Sequence, residues 1–182
     1  SVTRPRRGDL ARHWILDPET CFLNHGSFGA TPVSVLEEQS RLRNLIESDP
    51  VRFFERDYIP LMKGAVGNLS EFINADPEGL VFVKNTTEGV NTVLRSLDLK
   101  PGDEIIVTNH SYQACWNAVD FVTERSDANT VVVDIPFRVK NEEEVVDLIL
   151  DKVTGKTVLA MIDTVTSATG IRMPFEKLVR DI

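Results

Sequence analysis

Cysteine is almost missing: Cys21 and Cys115 stand alone in the chain. Two thiols are too few for a disulfide framework, and their spacing matches no metal knuckle, so a reducing cytoplasm is expected. Histidine is nearly as scarce. His13, His25 and His110 are scattered and form no HExxH-type motif, so no metal is expected. No apolar run approaches the ~20 residues needed to cross a bilayer, and no signal-peptide pattern opens the chain, so no membrane partner is expected. Basic residues are outnumbered, 20 Lys and Arg against 28 Asp and Glu, for a formal net charge of −8. That balance leaves no electrostatic footprint for nucleic acid. The one basic cluster, Arg4, Arg6 and Arg7 beside Pro5 and Gly8, fits a frayed, solvated terminus.

What remains is ordinary for a globular protein: 42% apolar and 26% charged residues over 182 positions. That length suits one well-buried domain or part of a larger one. The stretch Leu80 to Arg95 organises the rest. Leu80-Val81-Phe82-Val83 is an apolar, β-rich run that predicts a buried strand. Past Asn85-Thr86-Thr87 the apolar period lengthens, with Val90, Val93, Leu94 and Leu97 at helical spacing. Asn85 followed by Glu88 has the form of a capped helix start. Such a turn offers free amides and the positive end of a helix dipole, a place for a phosphate. The same construction occurs throughout α/β proteins without any ligand. A Glu88 carboxylate facing a phosphate would repel it unless the side chain turns away.

Residues 1 to 20 read as an arm, with Trp14-Ile15-Leu16 as an anchor and Asp17-Pro18-Glu19 as a turn. Asn24 to Gly29, with two glycines among polar residues, reads as a loop whose backbone approaches something closely. Pro32 opens an amphipathic helix through Ile46, and Ser48-Asp49-Pro50 ends it. Ile59 to Asn74 predicts a second helix, its inner side formed by Leu61, Met62, Ala65, Leu69, Phe72 and Ile73. Strands are then expected to start near Leu80, Glu104, Thr130 and Thr157, in steps of about 24, 26 and 27 residues, the period of strand-plus-helix units. Helices are expected from Gln113 to Thr123, after Asn141, and from Pro174 onward.

In open parallel sheets, ligands gather outside the carboxyl ends of the strands. Three of the four segments that follow the strands carry hydroxyl, amide or imidazole groups: Asn85-Thr86-Thr87, Asn109-His110-Ser111-Tyr112 and Asp163 to Ser167. The fourth, Ile135-Pro136-Phe137, is apolar and is expected to lie away from the site. Cys115 reads as a helix residue packed inward.

Together NHGSFG, VFVKNTTEGVN, TNHSYQACWNAV and DTVTSATG resemble the first half of a class V, fold-type-I enzyme that uses pyridoxal phosphate, nearest to the isopenicillin N epimerase-like members. Cysteine desulfurases and hercynylcysteine sulfoxide lyases are related. The resemblance covers about residues 20 to 182. It implies a three-layer α/β fold, a mostly parallel sheet flanked by helices. Residues 1–55 would be an N-terminal arm and helix, and 56–182 the first part of the large cofactor-binding domain.

By position, the resemblance implies that Thr86 and Thr87 hold the cofactor phosphate. His110 would stack on the pyridine ring and could move protons. Tyr112 would be an alternative ring contact or acid. Ser167, with Thr166, would meet the phenolic oxygen, while Asn24, His25 and Ser27 would approach substrate. The lysine that bonds the cofactor and the Asp that pairs with its pyridine nitrogen are expected beyond Ile182, in a chain about twice as long. The implied partners are a small amino-acid-type substrate and a second copy in a homodimer. The implied chemistry passes through an α-carbanion, ending in epimerisation or, alternatively, in C–S cleavage. A reading of another class, a non-catalytic α/β module for a phosphorylated ligand that lacks the lysine, stands beside it.

Overall fold

A computed structural model describes residues 8–182, so Arg4, Arg6 and Arg7 lie outside the described residues. The chain divides between Val81 and Phe82 into two compact units.

The first unit is helical. Trp14 anchors the arm as expected, its indole N–H donating to the Ala30 carbonyl at 3.0 Å. Asp17 makes the expected turn, its carboxylate accepting from the Glu19 amide at 2.8 Å and the Thr20 hydroxyl at 3.2 Å. The segment expected as a loop instead holds one helical turn, α1 (His25–Phe28). Asn24 is the reason: its side chain accepts from the Ser27 amide at 3.3 Å and caps the turn. Gly29 follows because a Cβ there would meet the His25 carbonyl oxygen at 3.0 Å.

Helix α2 (Val33–Ser48) ends where expected. Asp49 and Pro50 then restart the helical path: the Asp49 carboxylate caps α3 (Pro50–Arg52) with Pro50 in its first turn. A π-helical turn, Phe53–Asp57, joins α3 to α4 (Tyr58–Ile73). Phe53 is buried among its own neighbours, with ring centroids 5.2 Å from Phe54 and 6.3 Å from Tyr58. The apolar stripe of α4 is not covered to match: Leu61, Phe72 and Ile73 stay exposed.

The second unit is the expected three-layer α/β arrangement. Strands β1 (Glu104–Thr108), β2 (Asn129–Val133) and β3 (Thr157–Ala160) pair in parallel in the order β2-β1-β3. Central β1 is buried on both faces, and alternation divides its side chains between two cores. Ile105 and Val107 face α5 (Thr86–Ser96) and α6 (Gln113–Arg125), meeting Leu94, Ala118, Val119 and Val122. Ile106 faces the other layer, α7 (Glu142–Leu150) and α8 (Phe175–Asp181), with Val133, Val145, Ile149, Met173 and Leu178. Full burial of each such side chain stabilises by roughly 1.5–3 kcal/mol.

One expected strand is absent. Leu80–Val83 is extended but belongs to no strand, and Val81 is 82% exposed. Strand composition fits a pleated, half-buried surface rather than dictating a backbone state. The described strands pair only with one another, so this run gains no ladder. No described helix is long and apolar enough to cross a membrane.

Candidate functional site

The segments at the carboxyl ends of β1, β2 and β3, and the start of α5, meet in one polar rim. Helix α5 begins as its sequence implies: Asn85 is extended, and its side chain accepts from the Glu88 amide at 2.9 Å. Glu88 reaches back to accept from the Lys84 amide at 2.8 Å. That bond holds its carboxylate beside the residue preceding the cap, tied to a backbone N–H. The Thr86 and Thr87 amides are first-turn donors without an intrahelical acceptor. Lys140, Asn141 and Glu144 build the same cap on α7, at 2.7 and 2.9 Å, so the cap alone is a device of the fold.

The neighbours of α5 set it apart. Cys115, in the first turn of α6, is one of them. Cys115 is buried as expected. Burial first, and then the Asp163 carboxylate, push its thiol pKa up, while the Thr87 hydrogen bond opposes them. Asp163, just past β3, accepts from the Tyr112 amide at 3.1 Å where α6 begins. A carboxylate is favoured at that positive helix end. Tyr112 is 49% exposed at the rim.

His110 is held from several sides. The turn after β1 is closed by the Ser111 amide on the Thr108 carbonyl at 3.0 Å and the Thr108 amide on the Ser111 hydroxyl at 3.1 Å. Asn109 ties that turn to the neighbouring segment. Its carbonyl oxygen accepts from the Ile135 amide at 2.9 Å, and its NH2 donates to Asp134 at 2.6 Å and to the Ile135 carbonyl at 3.1 Å. His110 Nε2 lies 2.8 Å from the same Ile135 carbonyl, and Nδ1 lies 2.9 Å from the Thr169 hydroxyl.

The expectation that Ile135 to Phe137 lies away from the site is therefore corrected. Its contribution is a backbone carbonyl, which side-chain composition does not announce. Thr169 was likewise missed, and only the threonine-rich character of DTVTSATG hinted at it. Ser167 is exposed, whereas neighbouring Thr166 is buried and joined to Thr169 at 2.7 Å. Asn24, His25 and Ser27 sit together on the α1 turn of the first unit, all exposed.

The donor set fits a phosphorylated aromatic cofactor. Two free amides and the Thr86 hydroxyl suit a phosphate at a helix start. A ring clamped through both nitrogens offers a flat face of fixed orientation.

The family model described as aminotransferase class-V matches residues 40–182. The chain is 27% identical over 173 residues to the hercynylcysteine sulfoxide lyase of Schizosaccharomyces pombe, covering 94% of this chain and 44% of that protein. It is 30% identical over 176 residues to an isopenicillin N epimerase of Amycolatopsis lactamdurans, covering 91% and 42% respectively. A mutant of C-DES with glycine covalently linked to its pyridoxal phosphate superposes with a TM-score of 0.81 at 20% identity, over 90% of this chain and 43% of that one. The chain thus spans less than half the length of these relatives.

Proposed function

Because the chain belongs to the aminotransferase class-V family, we propose that it carries the phosphate anchor and ring contact of a pyridoxal-phosphate enzyme acting on an amino-acid substrate. The observation that carries this reading is the pairing of free α5 amides with the clamped His110 ring on one rim of a parallel sheet. When bound, the cofactor supplies an electron sink that makes the α-hydrogen of an amino acid acidic. Thr86 and Thr87 hold the phosphate through their amides and the Thr86 hydroxyl. His110 presents its ring face to the pyridine, and Tyr112 offers an exposed phenol as a proton donor near the substrate. Thr166 and Ser167 stand where the phenolic oxygen is expected. Asn24, His25 and Ser27 contribute to substrate recognition. None of these residues takes the place of the bonding lysine or of the pyridine-pairing Asp.

Epimerisation and C–S cleavage share the first proton loss, and relatives carry names of both kinds. The protein works as a cytoplasmic homodimer on this reading, a point that light scattering on the purified full chain tests. The direct experiment is purification of the full chain with pyridoxal phosphate. A near-visible absorbance that borohydride bleaches, fixing the cofactor to a lysine, is expected. Sulfide release from cysteine-type substrates would mark a lyase, and inversion at the α-carbon an epimerase. A colourless protein that takes up no cofactor would contradict the proposal and favour the non-catalytic module.

A further inference from the structure

A line of hydrogen bonds runs into His110 through Thr169, a residue that no assignment above uses. A backbone carbonyl only accepts, so His110 Nε2, 2.8 Å from the Ile135 oxygen, carries the proton. With its single proton there, the imidazole offers Nδ1 as an acceptor, and the Thr169 hydroxyl at 2.9 Å donates to it. Having given its one proton, Thr169 receives from the Thr166 hydroxyl at 2.7 Å. Thr166 in turn accepts from the Ile171 amide at 2.8 Å. Its own proton points at Thr169 in preference to the Ile171 carbonyl, which is farther away at 3.3 Å. For a neutral imidazole, the carbonyl at one end thus sets the direction of each bond in the line in turn.

From this geometry we propose that Thr169, backed by Thr166, is a positioning residue that locks His110 in its Nε2–H form, so that the ring serves the cofactor through its face. Neither ring nitrogen is left open to exchange a proton with substrate. The inference deepens the cofactor reading and rests on it for what the ring face meets.

A purely structural role for Thr169 is the competing account, and the backbone argues against it. The turn from Thr164 to Met173 is closed without Thr169: the Thr166 amide meets the Ile171 carbonyl at 3.0 Å, Gly170 meets Thr166 at 2.9 Å, and Met173 meets Thr164 at 2.9 Å. Val165 and Arg172 add an antiparallel bridge. Gly170, at φ +66°, allows the reversal. Thr166 is 2% exposed, which shelters the line from competing water.

The test uses the full chain labelled with 15N-histidine, with the His110 resonances assigned by their loss in His110→Gln. Wild type is expected to show one Nε2–H tautomer for His110. Thr169→Val keeps the side-chain shape but removes the donor. It should give mixed tautomers and weaken pyridoxal-phosphate affinity about tenfold, the size of one lost hydrogen bond. Thr169→Ser should restore both. A wild-type tautomer and affinity in Thr169→Val, even with a lowered melting temperature, would overturn the proposal, as would an Nδ1–H tautomer in wild type. A Thr169-dependent tautomer in a protein that takes up no pyridoxal phosphate would uphold the positioning and overturn the cofactor reading alone.

Discussion

Helix α4 and strand β1 both carry strongly apolar residues, yet they meet different fates. Ile105, Ile106 and Val107 of β1 are fully buried, whereas Leu61, Phe72 and Ile73 of α4 remain exposed, Phe72 at 86%. The strand lies in the middle of three parallel strands with helices against both faces. The helix satisfies its own backbone and stands without such cover. A helical stripe tells which face seeks burial, and only the packing tells whether that face finds it. The rim around His110 belongs to the well-packed unit, as a site held to fine tolerances requires.

The sharpest way to break this contrast is to truncate one side chain on each side of it. Ile106→Ala should cost about 2–5 kcal/mol, read from urea denaturation. Phe72→Ala should stay within about 0.5 kcal/mol. Comparable losses would mean that α4 is covered after all. Asn109→Ala removes three bonds to the segment after β2 and should cost about 1–3 kcal/mol, with His110 loosened in the same spectrum. Asn85→Ala should cost about 0.5–2 kcal/mol through the lost α5 cap, and Asn85→Gly only a few tenths.

Thiol labelling maps the same contrast chemically. Exposed Cys21 should react at neutral pH, whereas Cys115, buried and with its pKa raised, should react only after denaturation, as peptide mass mapping would report. The smallest effect belongs to the surface. The Lys177 ammonium, 2.6 Å away, holds the Glu143 carboxyl below the usual carboxylate value, and Glu143 raises Lys177 in return. A lowered acid stabilises above its unfolded pKa, and that gain fades as pH falls through the folded value. Lys177, being raised, loses its share only as pH rises through its own folded value. Wild type should therefore exceed Glu143→Gln slightly near neutrality and match it in acid.

Local chemistry was legible in the sequence, and long-range pairing was not. The Asn85 to Glu88 cap, the Asp17 turn and the starts of β1, β2 and β3 depend on neighbours a few residues away, and each reads correctly. Leu80–Val83 has strand composition, but a strand exists only where another chain segment accepts its hydrogen bonds. The His110 clamp joins residues 59 positions apart and ends on a main-chain oxygen, neither of which a local pattern displays. Motif resemblance pointed to the rim, while geometry supplied Thr169 and the Ile135 carbonyl.

On this reading a single grip holds the cofactor: α5 amides on its phosphate, and the His110 ring under its aromatic ring. A crystal structure of the full chain grown with pyridoxal phosphate tests it directly. We expect phosphate oxygens within hydrogen-bonding distance of the Thr86 and Thr87 amides, with the pyridine lying face-on over His110. A cofactor bound elsewhere, with the start of α5 bare, would contradict it.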